Sequence, residues 1–214
     1  MSVIVPTVTV TTPEEYKTSL ERIHLFAQRI HIDLSDGSFA PVVLLGIEHI
    51  WWPQEWQTDI HVMSTHPSQY MQQLTALRPH LITLHAEAQE DILPLLQQIK
   101  QLGIKAGVAI MKQTVPSDVS RLIEAADHVM IFSGDLGKYG GTANLMQLEK
   151  IRLIKNINAS AEIGWDGGIS VENAFSMMQG GVEVFNVGGA IHKASDPQAS
   201  YASLAQEIGR TGAV

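Results

Sequence analysis

The stretch RIHIDLSDG, residues 29–37, resembles the end of a buried strand but carries one histidine and two carboxylates. His31 and Asp33 lie two positions apart in it. Because successive side chains of a strand point to opposite faces, these two share one face. A strand that ends in this way is expected to bring polar side chains to a functional site.

Seven other short apolar runs, rich in Val and Ile, are also predicted to be strands. They are VIVPTVTV (3–10), TDIHVM (58–63), LITLH (81–85), KAGVAI (105–110), HVMIF (128–132), AEIGW (161–165) and VEVFNV (182–187). Amphipathic stretches of helical period separate the strands. Helix starts are expected at Pro67 and Pro116, and helix ends at Gly103 and Gly180.

This alternation of strand and helix runs along the chain without a linker or a low-complexity tract. Eight β/α units favour an α/β fold of the TIM barrel type, a closed (β/α)8 barrel that forms a single domain over residues 1–214. An open doubly wound sheet is the alternative. Against it, the first strand lacks the glycine-rich turn of dinucleotide-binding proteins.

The composition limits the class of protein. The 214 residues are 45% hydrophobic, which suffices for one sizeable core, and the formal net charge of −8 argues against nucleic acid as a partner. No stretch approaches the ~20 apolar residues of a membrane helix, and no secretory leader is recognisable, so we expect a cytoplasmic protein with no membrane partner. Since the chain has no cysteine, any metal site must use His, Asp and Glu.

Polar residues at the ends of other predicted strands extend the pair His31 and Asp33. His61 lies near the end of TDIHVM, and Asp166 directly follows AEIGW. In a (β/α)8 barrel the carboxyl ends of all strands face one mouth, where catalytic groups lie. Two imidazoles and two carboxylates there predict the ligands of one divalent ion, with Zn, Fe, Mn and Co as candidates. A structural, hydrogen-bonded role for each residue is the alternative.

Pairs of glycines follow the last three predicted strands. They are Gly140 and Gly141, Gly167 and Gly168, and Gly188 and Gly189. Glycine lets the backbone come close to an anion, and the loops after strands seven and eight are the usual phosphate site of such barrels. We therefore expect a phosphate site at these loops, although tight turns need the same residue type.

Other residues have weaker assignments. Asp36 is expected to be a turn residue before Gly37, and His85, at the end of the fourth strand, could face the site or serve only its neighbours. The remaining histidines are expected to be structural or exposed: His24, His49, His66, His80, His128 and His192. The tryptophans of HIWWP and Trp56 are expected to pack internally or to form a subunit contact. The apolar surface that they would form predicts a homo-oligomer.

Taken together, these motifs resemble those of ribulose-phosphate 3-epimerases and their hexulose-phosphate relatives. The shared segments, in the same order and spacing from about Ile4 to Pro197, are HIDLSDGSFAP, DIHVM, LITLHAEA, KAGVAI, YGGT and WDGGI. The resemblance implies a (β/α)8 barrel, a phosphate held by the glycine loops, and a divalent metal held by His31, Asp33, His61 and Asp166. It also implies that Asp33 and Asp166 are the acid/base groups and that Thr7 and Met63 contact the sugar.

Departures from the family pattern fall on the lid and on the sugar contacts. Ser35 stands where these enzymes usually have Met, and Thr7 replaces a usual Ser. The loop DLGKYGGT, residues 135–142, stands where the family usually has N-P-G-F-G-G-Q. Gly188 and Gly189 replace a Gly-Ser pair. Because the metal and proton-transfer residues are spared, the reaction type is better supported than the substrate.

The chemistry follows from the two carboxylates. Inverting a carbon next to a ketone requires a proton to leave one face and another to reach the opposite face, and a nearby metal would stabilise the enediolate. This predicts an isomerase, a metal-dependent 3-epimerase of a ketose phosphate, with ribulose 5-phosphate and xylulose 5-phosphate as first candidates and a related pentulose or hexulose phosphate as the next. The alternatives are a related barrel lyase or decarboxylase, which the absence of Lys from DLSD disfavours, and a non-catalytic sugar-phosphate binding protein.

Overall fold

The fold is a closed barrel of eight parallel strands, seen in a computed structural model that describes residues 2–210. The strands are β1 (Val3–Val8), β2 (Arg29–Ser35), β3 (Gln57–Met63), β4 (Leu81–His85), β5 (Lys105–Ile110), β6 (His128–Phe132), β7 (Glu162–Asp166) and β8 (Val184–Val187). They follow one another around the barrel in chain order, and β1 pairs with both β2 and β8. The predicted (β/α)8 barrel is confirmed, and the open sheet is excluded because the sheet has no free edge.

Helices connect the strands on the outside. They are α1 (Pro13–Ile23), α2 (Met71–Ala76), α3 (Leu93–Gln101), α4 (Ser120–Ala125), α5 (Glu149–Ile157), α6 (Val171–Gln179), α7 (Gly189–His192) and α8 (Pro197–Ile208). Pro67 and Pro116 begin short 3₁₀ turns that lead into α2 and α4, while Gly103 lies just beyond α3 and Gly180 caps α6. Among the described residues, no helix combines the length and apolar character needed to cross a membrane.

Strand β2 illustrates why these strands are buried on both faces. Ile30, Ile32 and Leu34 belong to the main hydrophobic cluster, which includes helix residues such as Leu20 and Leu96. The alternate residues of the same strand point to the barrel interior. The apolar outer face therefore holds the helices, while the inner face is available for polar groups.

The interior at the amino-terminal end of the barrel is closed by an ion-pair network. Arg29 donates from Nε to Asp59 (2.8 Å) and from its two terminal nitrogens to Glu162 (3.1 and 3.2 Å). His128 Nδ1 lies 2.9 Å from the same Glu162 carboxylate. Burial raises the pKa of Glu162, but the hydrogen bonds from His128 and Arg29 outweigh it and leave that pKa well below its usual value. Because this network lies at the opposite end of the barrel from the mouth, its role is structural.

The tryptophan cluster divides into buried and exposed members. Trp56 is buried in the core beside His24, whereas Trp51 remains 53% exposed and lies edge-on to Tyr16. Internal packing thus accounts for Trp56. Self-association through the exposed Trp51 stays a prediction.

Candidate active site

Four side chains from three strands converge at the carboxyl end of the barrel. His31 and Asp33 come from β2, His61 from β3 and Asp166 from the last position of β7, and all four are buried. One nitrogen or oxygen of each lies within 4.8 Å of those of the others. The structure therefore brings together the four residues that the sequence predicted, because strand register sets His61 beside Asp33 and barrel closure brings β7 across from β2.

The contacts within this cluster leave two polar atoms without partners. His31 Nε2 lies 3.3 Å from Asp33 Oδ1 and 3.5 Å from Asp166 Oδ2, and His61 Nδ1 lies 2.8 Å from Asp33 Oδ1. Within residues 2–210, neither His31 Nε2 nor Asp166 Oδ2 has a hydrogen-bond partner. Buried polar atoms are rarely left unpaired, and two imidazole nitrogens with two carboxylate oxygens form a donor set that suits a divalent cation.

The environment shifts the pKa values of the two carboxyl groups in opposite directions. Burial raises the pKa of Asp33, but hydrogen bonds and charge from His31 and His61 outweigh it, so its pKa lies below the usual range. Burial and the neighbouring Asp33 carboxylate both raise the pKa of Asp166. Burial also lowers the pKa of His61 to about 4, so this imidazole is neutral. Two carboxyl groups whose pKa values are shifted in opposite directions are suited to act as base and acid.

Thr9 and Tyr139 belong to this site but were not predicted from the sequence. The Thr9 hydroxyl donates to Asp33 Oδ2 at 2.6 Å, and the Thr9 N–H donates to Tyr139 Oη at 2.8 Å. Strand periodicity contained a signal for Thr9, since it lies two residues after Thr7 and shares its face. For Tyr139 no such signal exists, because it lies in an irregular loop.

His85 faces the cluster rather than the surface. It is 1% exposed, and its Nε2 lies 2.8 Å from His61 Nε2. Its other nitrogen, Nδ1, lies 3.3 Å from Glu87 Oε2, and the ring of Phe39 lies 4.3 Å away between centroids. The question left open by the sequence is thus answered, since His85 contacts one of the four clustered residues.

A cavity of about 230 Å³ adjoins the cluster. Asp33, Asp166, Thr7 and Thr9 line one part of it. Its remaining wall includes eight glycines from the loops after β6, β7 and β8, together with two cationic side chains and the carboxylate of Asp135: Gly134, Gly137, Gly140, Gly141, Gly167, Gly168, Gly188, Gly189, Lys138, Lys193 and Asp135. All three predicted glycine pairs therefore line one cavity with both carboxylates.

Close contact between loop backbones requires glycine at several of these positions. A Cβ on Gly167 would lie 2.0 Å from Gly134 N, and one on Gly168 would lie 2.1 Å from Ala143 N, while both residues have positive φ (100° and 72°). A Cβ on Gly188 would lie 2.5 Å from Cδ1 of Tyr139. Packing between loops thus explains these glycines, and the same packing leaves a cavity wall of exposed backbone.

Other predicted residues lie apart from this cavity. Met63 is 1% exposed, packs with Ala40 and Leu44, and borders a separate cavity beside β2 and β3. Asp36 accepts hydrogen bonds from the Ser38 N–H (2.8 Å) and the Ser64 hydroxyl (2.6 Å), which fits the predicted turn role. The sugar contact expected of Met63 stays a prediction.

The fold and this site define a (β/α)8 enzyme with two buried carboxyl groups, a candidate metal cluster and a glycine-lined cavity at one mouth. A sequence model of the "Ribulose-phosphate 3 epimerase family" matches residues 3–192. The chain therefore belongs to the ribulose-phosphate 3-epimerase family, and it is an isomerase that acts on carbohydrate phosphates.

Individual relatives agree with this assignment. The chain is 32% identical to the ribulose-phosphate 3-epimerase of Helicobacter pylori over 79% of this chain and 82% of the relative. It is also 32% identical to that of Aquifex aeolicus over 83% of each chain. Among solved structures, the 3-keto-L-gulonate-6-phosphate decarboxylase of Vibrio cholerae superposes with a TM-score of 0.75 over 97% of each chain at 15% identity. At that identity the likeness concerns the fold alone.

Proposed function

We propose that this enzyme inverts C3 of a ketose phosphate and interconverts ribulose 5-phosphate and xylulose 5-phosphate, a related pentulose or hexulose phosphate being the next candidate. The observation that carries the proposal is that Asp33 and Asp166, from β2 and β7, line one cavity. The relatives named above support ribulose 5-phosphate as the first substrate.

The two carboxyl groups would transfer the two protons. One removes the C3 proton from its face of the bound sugar, and the other delivers a proton to the opposite face. The different pKa shifts of Asp33 and Asp166 favour one charged and one neutral partner, which this reaction needs at its start. The Thr9 hydroxyl holds Asp33 Oδ2 and so orients that carboxylate.

The cluster of His31, Asp33, His61 and Asp166 would hold one divalent ion, with Zn, Fe, Mn and Co as candidates. A bound ion would supply positive charge beside the ketone and the enediolate that forms from it. The unpaired His31 Nε2 and Asp166 Oδ2 support this site, because an ion would satisfy both.

The glycine-lined part of the cavity would hold the phosphate. Exposed backbone allows close approach of an anion, and Lys138 and Lys193 add positive charge at the same wall. A phosphate fixed there would hold the sugar with its reacting carbon between the carboxyl groups, which is the main advantage of binding at a distance from the reaction.

Solvent exchange tests this function. The protein is incubated in D2O with ribulose 5-phosphate, xylulose 5-phosphate and a panel of other pentulose and hexulose phosphates, and NMR follows deuterium at C3 together with formation of the epimer. We expect both to occur with one substrate, and formation of the epimer to be lost from Asp33→Asn and Asp166→Asn.

Two outcomes would contradict the proposal. Release of CO2 from a keto-sugar acid phosphate without epimerisation would favour a decarboxylase. Tight ligand binding that both Asn variants retain, with no exchange in any protein, would favour a binding protein, since binding does not require a base on each face of the sugar.

A further inference from the structure

A chain of three buried or partly buried groups extends from the candidate metal cluster toward the loop after β4. His61 Nε2 lies 2.8 Å from His85 Nε2, and His85 Nδ1 lies 3.3 Å from Glu87 Oε2. Both imidazoles are at most 1% exposed, so water does not compete for these nitrogens. The role inferred below for His85 and Glu87 depends on the proposed metal site.

The ring nitrogen that carries the hydrogen in His61 determines which ring nitrogen carries it in His85. His61 Nε2 faces His85, while Nδ1 lies 2.8 Å from Asp33 Oδ1 and can donate to that carboxylate when no metal is bound. Nδ1 is therefore the nitrogen that a metal held by both His61 and Asp33 would bind. A neutral imidazole that offers a lone pair at Nδ1 carries its hydrogen on Nε2. That hydrogen must be accepted by His85 Nε2, and the hydrogen of His85 then lies on Nδ1, facing Glu87.

The opposite arrangement of two neutral rings is unfavourable. With its hydrogen on Nε2, His85 would point the lone pair of Nδ1 at the Glu87 carboxylate, and two acceptors would face each other at 3.3 Å. Glu87 is itself held in place, because its Oε1 accepts the Met111 N–H at 2.8 Å and the Thr114 hydroxyl. Glu87 thus favours the direction in which His61 keeps its lone pair on Nδ1, whereas Asp33 alone favours a hydrogen there. A metal bound to both His61 and Asp33 would remove that second preference.

We propose that His85 and Glu87 are positioning residues that fix the tautomer of His61, so that its Nδ1 presents a lone pair to the metal cluster. Removal of a group that hydrogen-bonds to the second ring nitrogen of a metal-binding histidine commonly lowers metal affinity by about 10- to 100-fold. Neither residue touches the substrate cavity, so their effect is on the metal ligand.

The test measures tautomers and metal affinity rather than activity. In the Zn²⁺-loaded protein, ¹⁵N NMR of the imidazoles should find His61 protonated on Nε2 and His85 on Nδ1. Glu87→Gln keeps the shape and can still accept the Met111 N–H, but its amide can also donate to His85, so it no longer favours this arrangement. We therefore expect this variant to bind Zn²⁺ about tenfold more weakly.

Calorimetric titration with Zn²⁺ and Mn²⁺ provides the second measurement. His85→Leu leaves the His61 N–H without an acceptor, so metal binding should weaken by about 10- to 100-fold. His85→Gln should bind within about threefold of the natural protein, because its amide oxygen can accept that hydrogen.

His128→Leu is the matched control, since His128 is also buried and paired with a glutamate, Glu162, but lies at the other end of the barrel. It should lower stability and leave metal affinity unchanged. If the natural protein binds metal and His85→Leu binds it equally well, or if His61 of the Zn²⁺-loaded protein carries its hydrogen on Nδ1, the inference is overturned while the metal site stands. If the natural protein binds no metal, the proposed metal site fails and the inference fails with it.

Discussion

The hydroxyl of Thr9 donates a 2.6 Å hydrogen bond to Oδ2 of Asp33 across the pair formed by β1 and β2. Asp33 Oδ1 meanwhile lies 2.8 Å from His61 Nδ1, so both oxygens of this carboxylate have partners. A base fixed in this way needs no reorientation when the substrate arrives.

Replacement of Thr9 by Val should therefore reduce kcat. A hydrogen bond to a charged group contributes about 1.5 to 3 kcal/mol, which corresponds to roughly 10- to 100-fold in rate if the contact acts in the transition state. Steady-state kinetics of Thr9→Val and Thr9→Ser measures this. The Ser variant keeps the hydroxyl and should retain most of the activity, and equal losses in both variants would argue for a packing role instead.

The two candidate acids should be separable by isotope exchange. If Asp33 and Asp166 serve opposite faces of C3, each Asn variant should lose epimerisation by about 10²- to 10⁴-fold. Each should still exchange the C3 proton of one epimer with D2O, and the two variants should differ in which epimer that is. NMR of both epimers with both variants gives the pattern. Exchange of the same epimer by both variants would contradict a two-base mechanism.

Removal of divalent metal should abolish activity. After treatment with EDTA we expect at least a 100-fold loss of epimerisation, reversed by Zn²⁺, Mn²⁺, Fe²⁺ or Co²⁺, because the enediolate would lose its stabilising charge. The melting temperature should also fall, since a ligand that binds only the folded state stabilises it. Full activity of a chelated sample, with metal content verified by elemental analysis, would refute metal dependence.

Tyr139, in the loop after β6, packs against Gly188, and a substitution at Gly188 should therefore disturb this loop. The Cβ of Gly188→Ala would lie 2.5 Å from Cδ1 of Tyr139, whereas the nearest atom to a Cβ on Gly189 is 3.6 Å away. Gly188→Ala should displace Tyr139 and raise KM about tenfold or more, while Gly189→Ala should change KM by a few-fold at most. A double-mutant cycle with Tyr139→Ala tests the cause, because removing the ring should remove most of the cost of Gly188→Ala.

The ion-pair network at the closed end of the barrel predicts a pH-dependent stability. The pKa of Glu162 is lowered in the folded state, so its contribution is present above the usual Glu pKa and is lost as pH falls toward the lowered value. Glu162→Gln should therefore cost about 2 kcal/mol at pH 7 and less at pH 3. Urea unfolding at both pH values measures the difference.

Glu21→Gln is the control for that experiment. Glu21 forms an exposed pair with Lys17 at 3.8 Å, and such pairs contribute little to stability. We expect a change below about 0.5 kcal/mol at either pH. A cost of Glu162→Gln that does not depend on pH would mean that its shape, not its charge, stabilises the barrel end.

Much of the fold could be predicted from the sequence because period and composition are local signals. The runs LITLH, KAGVAI and HVMIF coincide with strands β4, β5 and β6, and the remaining strands agree within about two residues at each end. The short helix α7 was not predicted, since a stretch of four residues that begins with Gly189 carries no detectable helical period.

The candidate site could be predicted as far as strand ends allow. His31 and Asp33 share a face through the strand period alone, and a barrel of parallel strands places His61 and Asp166 at the same mouth. The distances between the side chains, their hydrogen-bond partners and the directions of side chains in loops do not follow from such patterns. Met63 illustrates the limit, because only the structure shows that its side chain packs with Ala40 and Leu44, and its contact with the sugar stays a prediction.

The sequence by itself thus determined the barrel, the four clustered residues and the glycine loops, because each depends on local periodicity or on residue type. Only the tertiary structure decided that Thr9 holds Asp33, that Tyr139 reaches Thr9 from the loop after β6, and that His85 contacts His61. These contacts join segments 24 to 130 residues apart. Their geometry depends on closure of the barrel, a cooperative property of all eight strands that no short stretch of sequence encodes.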